Sequence, residues 1–329
     1  MVGRMAVVSD TGRRRRRNED AYVCAPPLFA VADGMGGAQA GEVASGLAAA
    51  VLEEGAGDER GEERVASLIQ EANRRVFQRS NEDAATSGMG TTMTVALVDS
   101  SGGTIAFGHV GDSRAYRVRD GGLEQLTDDH SLVGELVRSG KLSPEEAETH
   151  PQRSVITRAL GTEPDVDVDT FTVEARPDDL YLLCSDGLTD MVSADEIFSI
   201  VNGSDDLDVA ARALIEAANA GGGEDNITVV LFQIGDRGEV EQTAQMPVAT
   251  EPEPVEDEED TLSGLDPVPV VDTAVIPAAV VEEHLRRVDG ESPNSEGGPK
   301  RRRRIMPLIA LVALILLIAV LVELALWGL

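Results

Sequence analysis

The stretch Leu28-Phe29-Ala30-Val31-Ala32-Asp33-Gly34-Met35-Gly36-Gly37 decides the fold. Five apolar residues in a row read as a strand buried on both faces. They run straight into a carboxylate and a group of glycines, residues that break a strand into a turn. The same junction recurs. Leu180-Tyr181-Leu182-Leu183-Cys184-Ser185 ends on Asp186-Gly187, and Ile105-Ala106-Phe107-Gly108-His109-Val110 ends on Gly111-Asp112-Ser113-Arg114. Two further junctions lie before strands. Gly221-Gly222-Gly223-Glu224-Asp225-Asn226 precedes Ile227-Thr228-Val229-Val230, and Asn18-Glu19-Asp20 precedes Ala21-Tyr22-Val23-Cys24.

One such junction is ordinary turn chemistry. Five in one domain point to carboxylates held on rigid elements and directed into one cleft. Unneutralised, they repel each other. Hard divalent cations such as Mg²⁺ or Mn²⁺ remove that cost through oxygen ligands, and glycine lets the backbone approach the ion. No His/Cys grouping has zinc spacing, because His109, His130, His150 and His284 are scattered.

Around these junctions, strand patterns cover 5–9, 28–32, 92–99, 104–110, 115–119, 180–185 and 227–234. Helical patterns cover 42–54, 63–79 and 209–220, with shorter ones at 131–138 and 144–147. Ser101-Gly102-Gly103 and Asp120-Gly121-Gly122 join strands over hairpin distances. The pattern predicts an α+β domain, antiparallel sheet flanked by helices.

The chain has 329 residues, 42% of them apolar but only 3% aromatic, so the core is expected to rest on Val, Leu, Ile and Ala. Its formal net charge of −31 makes it a poor partner for nucleic acid, whose affinity comes largely from Lys and Arg on phosphates. Cys24 and Cys184 lie in apolar runs and read as core residues. The start Met-Val-Gly-Arg-Met carries no secretory h-region.

Charge also divides the chain. Residues 1–235 carry a net −21, and 236–299 carry 17 acidic against 3 basic side chains. That second segment, rich in Pro, Glu and Asp, reads as a disordered linker, with the proline-broken apolar piece 268–281 as either spacer or docking motif. Residues 300–304 are Lys300-Arg301-Arg302-Arg303-Arg304, and 305–322 are an unbroken apolar run. The last 25 residues would form a helix of about 37 Å, enough for a roughly 30 Å hydrocarbon core. The five cations before it predict a single-pass tail anchor at the cell membrane, with everything before it cytoplasmic.

The ordered set Asn18-Glu19-Asp20, Asp33-Gly34-Met35-Gly36-Gly37, Gly90-Thr91-Thr92, Gly111-Asp112-Ser113-Arg114, Ser185-Asp186-Gly187 and Asp225-Asn226-Ile227-Thr228 resembles the metal-dependent, type 2C (PPM) serine/threonine protein phosphatases of bacteria. Residues 126–140 and 149–154 resemble that branch's flap over the active site. The resemblance spans about 5–235 and implies a four-layer αββα sandwich, two antiparallel sheets flanked by helices. It implies two Mn²⁺ or Mg²⁺ ions, bridged by Asp33 with the Gly34 carbonyl beside it. Asp186 and Asp225 complete one site and Glu19 the other, while Asp112 with Asp186 would hold a third ion. Asp20 would stand behind the ligands and orient the attacking water, and Asn226 would support the Asp225 turn. Arg15 would grip the substrate phosphate, with Arg14 and Arg16 as alternatives because arginines 13 to 17 are consecutive.

The implied substrates are phosphoserine and phosphothreonine on proteins, including a transmembrane Ser/Thr kinase. The alternative function is a catalytically weak, membrane-bound phosphoprotein-binding scaffold. Met35 stands where many eukaryotic relatives carry a histidine proposed as general acid, and a thioether donates no proton. His130 and His150 read as surface or flap residues and His109 as a packed strand residue. Asp129 reads either as a site contact or as an acid at a helix N-terminus. Residues 88–92 read as a tight strand entry rather than a phosphate cradle.

Overall fold

A computed structural model describes residues 1–36, 40–55, 61–82, 84–99, 103–148, 150–235 and 274–275. The chain opens with β1 (Val2–Asp10), β2 (Asp20–Ala25) and β3 (Leu28–Met35), followed by α1 (Ala40–Glu54) and α2 (Glu62–Glu82). Five strands come next: β4 (Gly90–Thr91), β5 (Met93–Val98), β6 (Thr104–Val110), β7 (Arg114–Arg119) and β8 (Gly122–Gln125). The flap region holds α3 (Leu132–Arg138), α4 (Pro144–Glu148) and β9 (Val155–Ile156). The domain closes with β10 (Asp169–Glu174), β11 (Leu180–Cys184), α5 (Asp186–Thr189), α6 (Ala194–Asn202), α7 (Leu207–Gly221) and β12 (Ile227–Ile234). A last strand, β13 (Ala274–Val275), pairs parallel with β9, which puts two residues of the proline-broken piece 268–281 beside the flap.

Two antiparallel sheets result, in the order β1-β12-β11-β7-β8 and β10-β6-β5-β3-β2, with β4 attached to β3. Their packing follows from the two-residue period of a strand. Along β3, Leu28, Ala30 and Ala32 join a core with Ala44, Ala48, Val51, Leu52, Val65 and Ile69 of α1 and α2. The alternate residues, Phe29 and Val31, turn to the other sheet. β12 behaves alike: Val229 and Leu231 meet Ala210, Leu214 and Ala218 of α7, while Val230 and Phe232 face inward. Both faces are covered, which is why these strands read as continuous apolar runs.

The inter-sheet layer departs from the expected composition. Four of the six phenylalanines lie there, and Phe29 stacks on Phe232 at 4.1 Å, Tyr181 on Phe232 at 5.1 Å and Phe107 on Phe171 at 5.2 Å. Sheets packed about 10 Å apart need long side chains to meet, and aromatic rings fill that span. Cys184 is buried, whereas Cys24 is only half-buried at the β2 edge of its sheet.

Several elements escape the sequence reading. The β4, β8, β9 and β10 strands are short or polar, and α6 lies where the sequence pattern marks no element. Asp33 and Gly34 belong to β3 rather than to the turn after it, and Asp186 opens the one-turn helix α5. The linker 236–273, the basic segment 300–304 and the run 305–329 lie outside the described residues. Among the described residues no helix is long and apolar enough to cross a membrane.

Candidate active site

The alternation that builds the inter-sheet core also builds the site. Asp33 continues the inward set Phe29, Val31; Ser185 continues Tyr181, Leu183; Thr228 precedes Val230, Phe232. At this end of the sandwich the inward residues change from apolar to polar. Asp20 and Asp33 are directly paired across β2 and β3. Asp20 Oδ2 accepts from Thr228 Oγ1 (2.6 Å) and Ser185 Oγ (2.8 Å), residues of the opposite sheet.

Loop crossings bring in the rest. A Cβ on Gly187 would sit 2.1 Å from the Asn226 carbonyl oxygen and 3.4 Å from Asp225 Cβ, so only glycine lets the Asp186 turn lie against the Asp225 turn. A Cβ on Gly34 would likewise meet the Gly41 and Glu19 carbonyl oxygens at 2.2 and 2.4 Å. The Gly34 amide donates to the Glu19 carbonyl (3.1 Å), and Glu19 Oε2 lies against Gly41 on α1. Asn226 ties these segments together: its Oδ1 accepts from the Glu19 amide (2.8 Å), and its Nδ2 donates to the Thr11 and Arg17 carbonyls. The support expected of Asn226 therefore extends beyond the Asp225 turn to the whole 11–19 loop.

The electrostatics are those of crowded acid. Burial holds the Asp33 carboxyl well above the usual range, reinforced by the charges of Asp20, Asp186, Asp225 and Asp112. Asp186 is raised likewise by burial, then by Asp112, Asp190 and Asp225. Burial pushes Asp20 to about 6 and Asp112 to about 7, with Asp129 and Asp190 adding to the latter. These shared perturbations place Asp20, Asp33, Asp112, Asp186 and Asp225 in one cluster. Asp190 is a member the sequence reading missed. Its signal was the four-residue spacing Asp186…Asp190, which a helical turn brings onto one face.

Surrounding contacts correct several expectations. His130 is not a surface residue: it is buried at the base of the flap, its Nδ1 accepts from the Gly111 amide (3.0 Å), and its Nε2 faces Asp169 Oδ2 (3.1 Å). A polar ring can be buried there because both its nitrogens find partners. Asp129 is neither a helix-terminal acid alone nor shown as a ligand; Arg114 grips it through Nε (2.9 Å) and NH2 (2.6 Å). His109 is packed as expected, bonded to Thr94 Oγ1 (2.9 Å) and held down to about 3, chiefly by burial. Met35 packs against Ile156 and Ala159. Residues 88–92 are a strand entry: the Asp33 amide donates to Thr92 Oγ1 (3.0 Å), and Thr91 Oγ1 donates to the Asp33 carbonyl (2.8 Å). Of the arginines 13 to 17, Arg15 turns toward the acidic cluster, its NH2 bonding Asp225 Oδ2 at 2.7 Å.

This donor set fits hard divalent ions. It is all oxygen, and Asp20 Oδ1 and Asp186 Oδ1 are buried without any hydrogen-bond partner. Among the described residues no three acidic, imidazole or thiol groups stand as a finished cage. The carboxylates are close enough to perturb one another, so leaving them all ionised without a cation is costly. Cation binding would relieve both the repulsion and the orphaned oxygens.

The comparisons with known proteins agree with this geometry. The family described as Protein phosphatase 2C matches residues 13–216. The serine/threonine phosphatase stp of Listeria monocytogenes is 42% identical over 237 residues, covering 68% of this chain and 93% of its own. The serine/threonine protein phosphatase PstP of Mycobacterium tuberculosis is 43% identical over 239 residues, 72% of this chain and 46% of its own. A crystal structure of the PstP catalytic domain in complex with two manganese ions superposes with a TM-score of 0.66 at 40% identity, covering 71% of this chain and 99% of that one.

Proposed function

Given that the chain belongs to the protein phosphatase 2C family and is a metal-dependent serine/threonine phosphatase of the bacterial type, we propose which residues perform that chemistry and where. Asp33, Asp186 and Asp225, with Glu19 and the Gly34 carbonyl, hold two Mn²⁺ or Mg²⁺ ions, and Asp112 with Asp186 offers a third position. The observation that carries this assignment is geometric: Asp33 pairs with Asp20 across β2 and β3, Ser185 and Thr228 of the other sheet bond that Asp20, and Gly187 lets the Asp186 turn lie against the Asp225 turn. Such ions lower the pKa of water and offset charge on phosphoryl oxygens when bound.

The chain's own groups supply the rest. Asp20 is fixed through Oδ2 by Ser185 and Thr228, which leaves its buried Oδ1 oriented to accept a proton from the attacking water. Arg15, half-buried beside Asp225, offers a planar fork to two phosphoryl oxygens. Ions held by these carboxylates would reverse the sign of an otherwise acidic cleft and let a phosphate dianion enter. No covalent enzyme intermediate is required.

The substrates on this reading are phosphoserine and phosphothreonine in proteins, among them Ser/Thr kinases that the enzyme opposes. The cationic segment 300–304 and the apolar run 305–322 support a membrane tether with the catalytic domain on the cytoplasmic face. Hydrolysis of a phosphothreonine peptide by the full chain with Mn²⁺ tests the chemistry. EDTA and Asp33→Asn are each expected to abolish it, and activity insensitive to both would overturn the assignment. Recovery of the full chain in the soluble rather than the membrane fraction would overturn the tether.

A further inference from the structure

The arginines on either side of Arg15 have no role in the chemistry above. They sit on the loop between β1 and β2, and that loop is docked along its length onto the turn bearing Asp225. The Arg13 and Arg14 amides donate to the Gly223 carbonyl at 2.7 and 3.1 Å. Asn226 Nδ2 holds the Thr11 and Arg17 carbonyls at 2.9 and 2.8 Å. With the backbone pinned and Arg15 turned to Asp225, the side chains of Arg13, Arg14 and Arg16 are exposed. From the flap side Arg153 approaches Glu224 of the same turn at 4.0 Å and Asp190, at the end of α5, at 3.8 Å.

Guanidinium groups therefore rim the mouth of a catalytic domain whose net charge is −21. Away from this rim an acidic polypeptide is repelled; at the rim it meets fixed cations next to the reacting centre. We propose that Arg13, Arg14 and Arg16 form a docking rim that selects phosphopeptides with acidic residues flanking the phosphorylated side chain. The proposal rests on the phosphatase reading and deepens it by naming a substrate class.

Fluorescence anisotropy on the full chain with Mn²⁺ tests it, using two non-hydrolysable phosphonate peptides whose flanks are either three glutamates or three alanines. Two or three exposed ion pairs predict a Kd for the glutamate peptide lower by about five- to tenfold in low salt. That preference should shrink to within about twofold at 0.5 M salt, where the Debye length falls to a few ångströms, and in Arg14→Gln/Arg16→Gln. A Kd ratio near one in the unaltered chain, or a ratio unchanged in the double variant, overturns the proposal. So does binding of anionic lipid vesicles that depends on Arg14 and Arg16 while the two peptides bind alike. Hydrolysis of the alanine-flanked phosphopeptide, read separately, reports on the phosphatase reading itself, so the two failures are distinguishable.

Discussion

Gly187 shows how much of the site depends on a missing side chain. It lets the segment after Asp186 rest against the carbonyl of Asn226, and that contact joins two of the proposed ligands across the sheet. Gly187→Ala would put a Cβ 2.1 Å from that oxygen, so the Asp186 and Asp225 turns must separate. A displacement near 1 Å at a reacting centre costs about a hundredfold in rate. The expected outcome is a fall in kcat/KM of that order with a folded circular-dichroism spectrum, and near-normal activity would contradict it. The residues legible in the sequence were of this kind, Asp-Gly pairs at strand ends. Asp190 was not, because a carboxylate one turn along α5 resembles any helical acid until Asp186 and Asp112 are beside it.

At the scale of elements, α2 does more than cover a sheet. Asn73, fully buried on its inner face, accepts from the Gly161 amide (2.8 Å) and donates to the Glu163 and Pro164 carbonyls (3.1 Å each). It therefore fastens the segment after the flap strand β9 to the helix. Asn73→Ala would leave the buried Gly161 amide without its acceptor, which costs about 1–3 kcal/mol. It would also open a gap on the inner face of α2, whereas the carbonyls of exposed Glu163 and Pro164 can turn to water. Chemical denaturation should show a loss of roughly 2–4 kcal/mol; a loss below about 0.5 kcal/mol, the scale of a surface change, would contradict this role.

The long apolar strands and amphipathic helices were readable because burial on one or both faces imposes a period. The polar edge strand β10 and the segment around the two-residue β9 were not, because their place is set by distant partners such as Phe107 for Phe171 and Asn73 for Gly161. His130 failed for the same reason: its burial depends on Gly111 and Asp169, far from it in sequence.

For the whole molecule, the buried acid couples stability to pH. Asp20 and Asp112 titrate near 6 and 7 in the folded chain but near 3.8 when exposed. The folded state then binds more protons across that interval, so the stability of the metal-free protein falls as pH rises from about 4 to about 7. Asp169 and Asp179, held low, act in the opposite sense only below their ordinary value of 3.8. Ions compete with those protons. At a hundred times Kd one ion stabilises by about 2.7 kcal/mol, roughly 5–10 °C for a domain this size. The melting-temperature rise with Mn²⁺ should be clearly larger at pH 7.5 than at pH 5; an equal rise would contradict the account.

The most direct measurement is a calorimetric titration of the full chain with Mn²⁺ at pH 7.5, repeated on Asp33→Asn. Oxygens from the loop before β2, from β3, from α5 and from the turn before β12 are placed to form a single binuclear centre. The account predicts uptake of at least two ions per chain, lost or severely weakened in the variant. Absence of uptake, or identical isotherms for the two proteins, would contradict it.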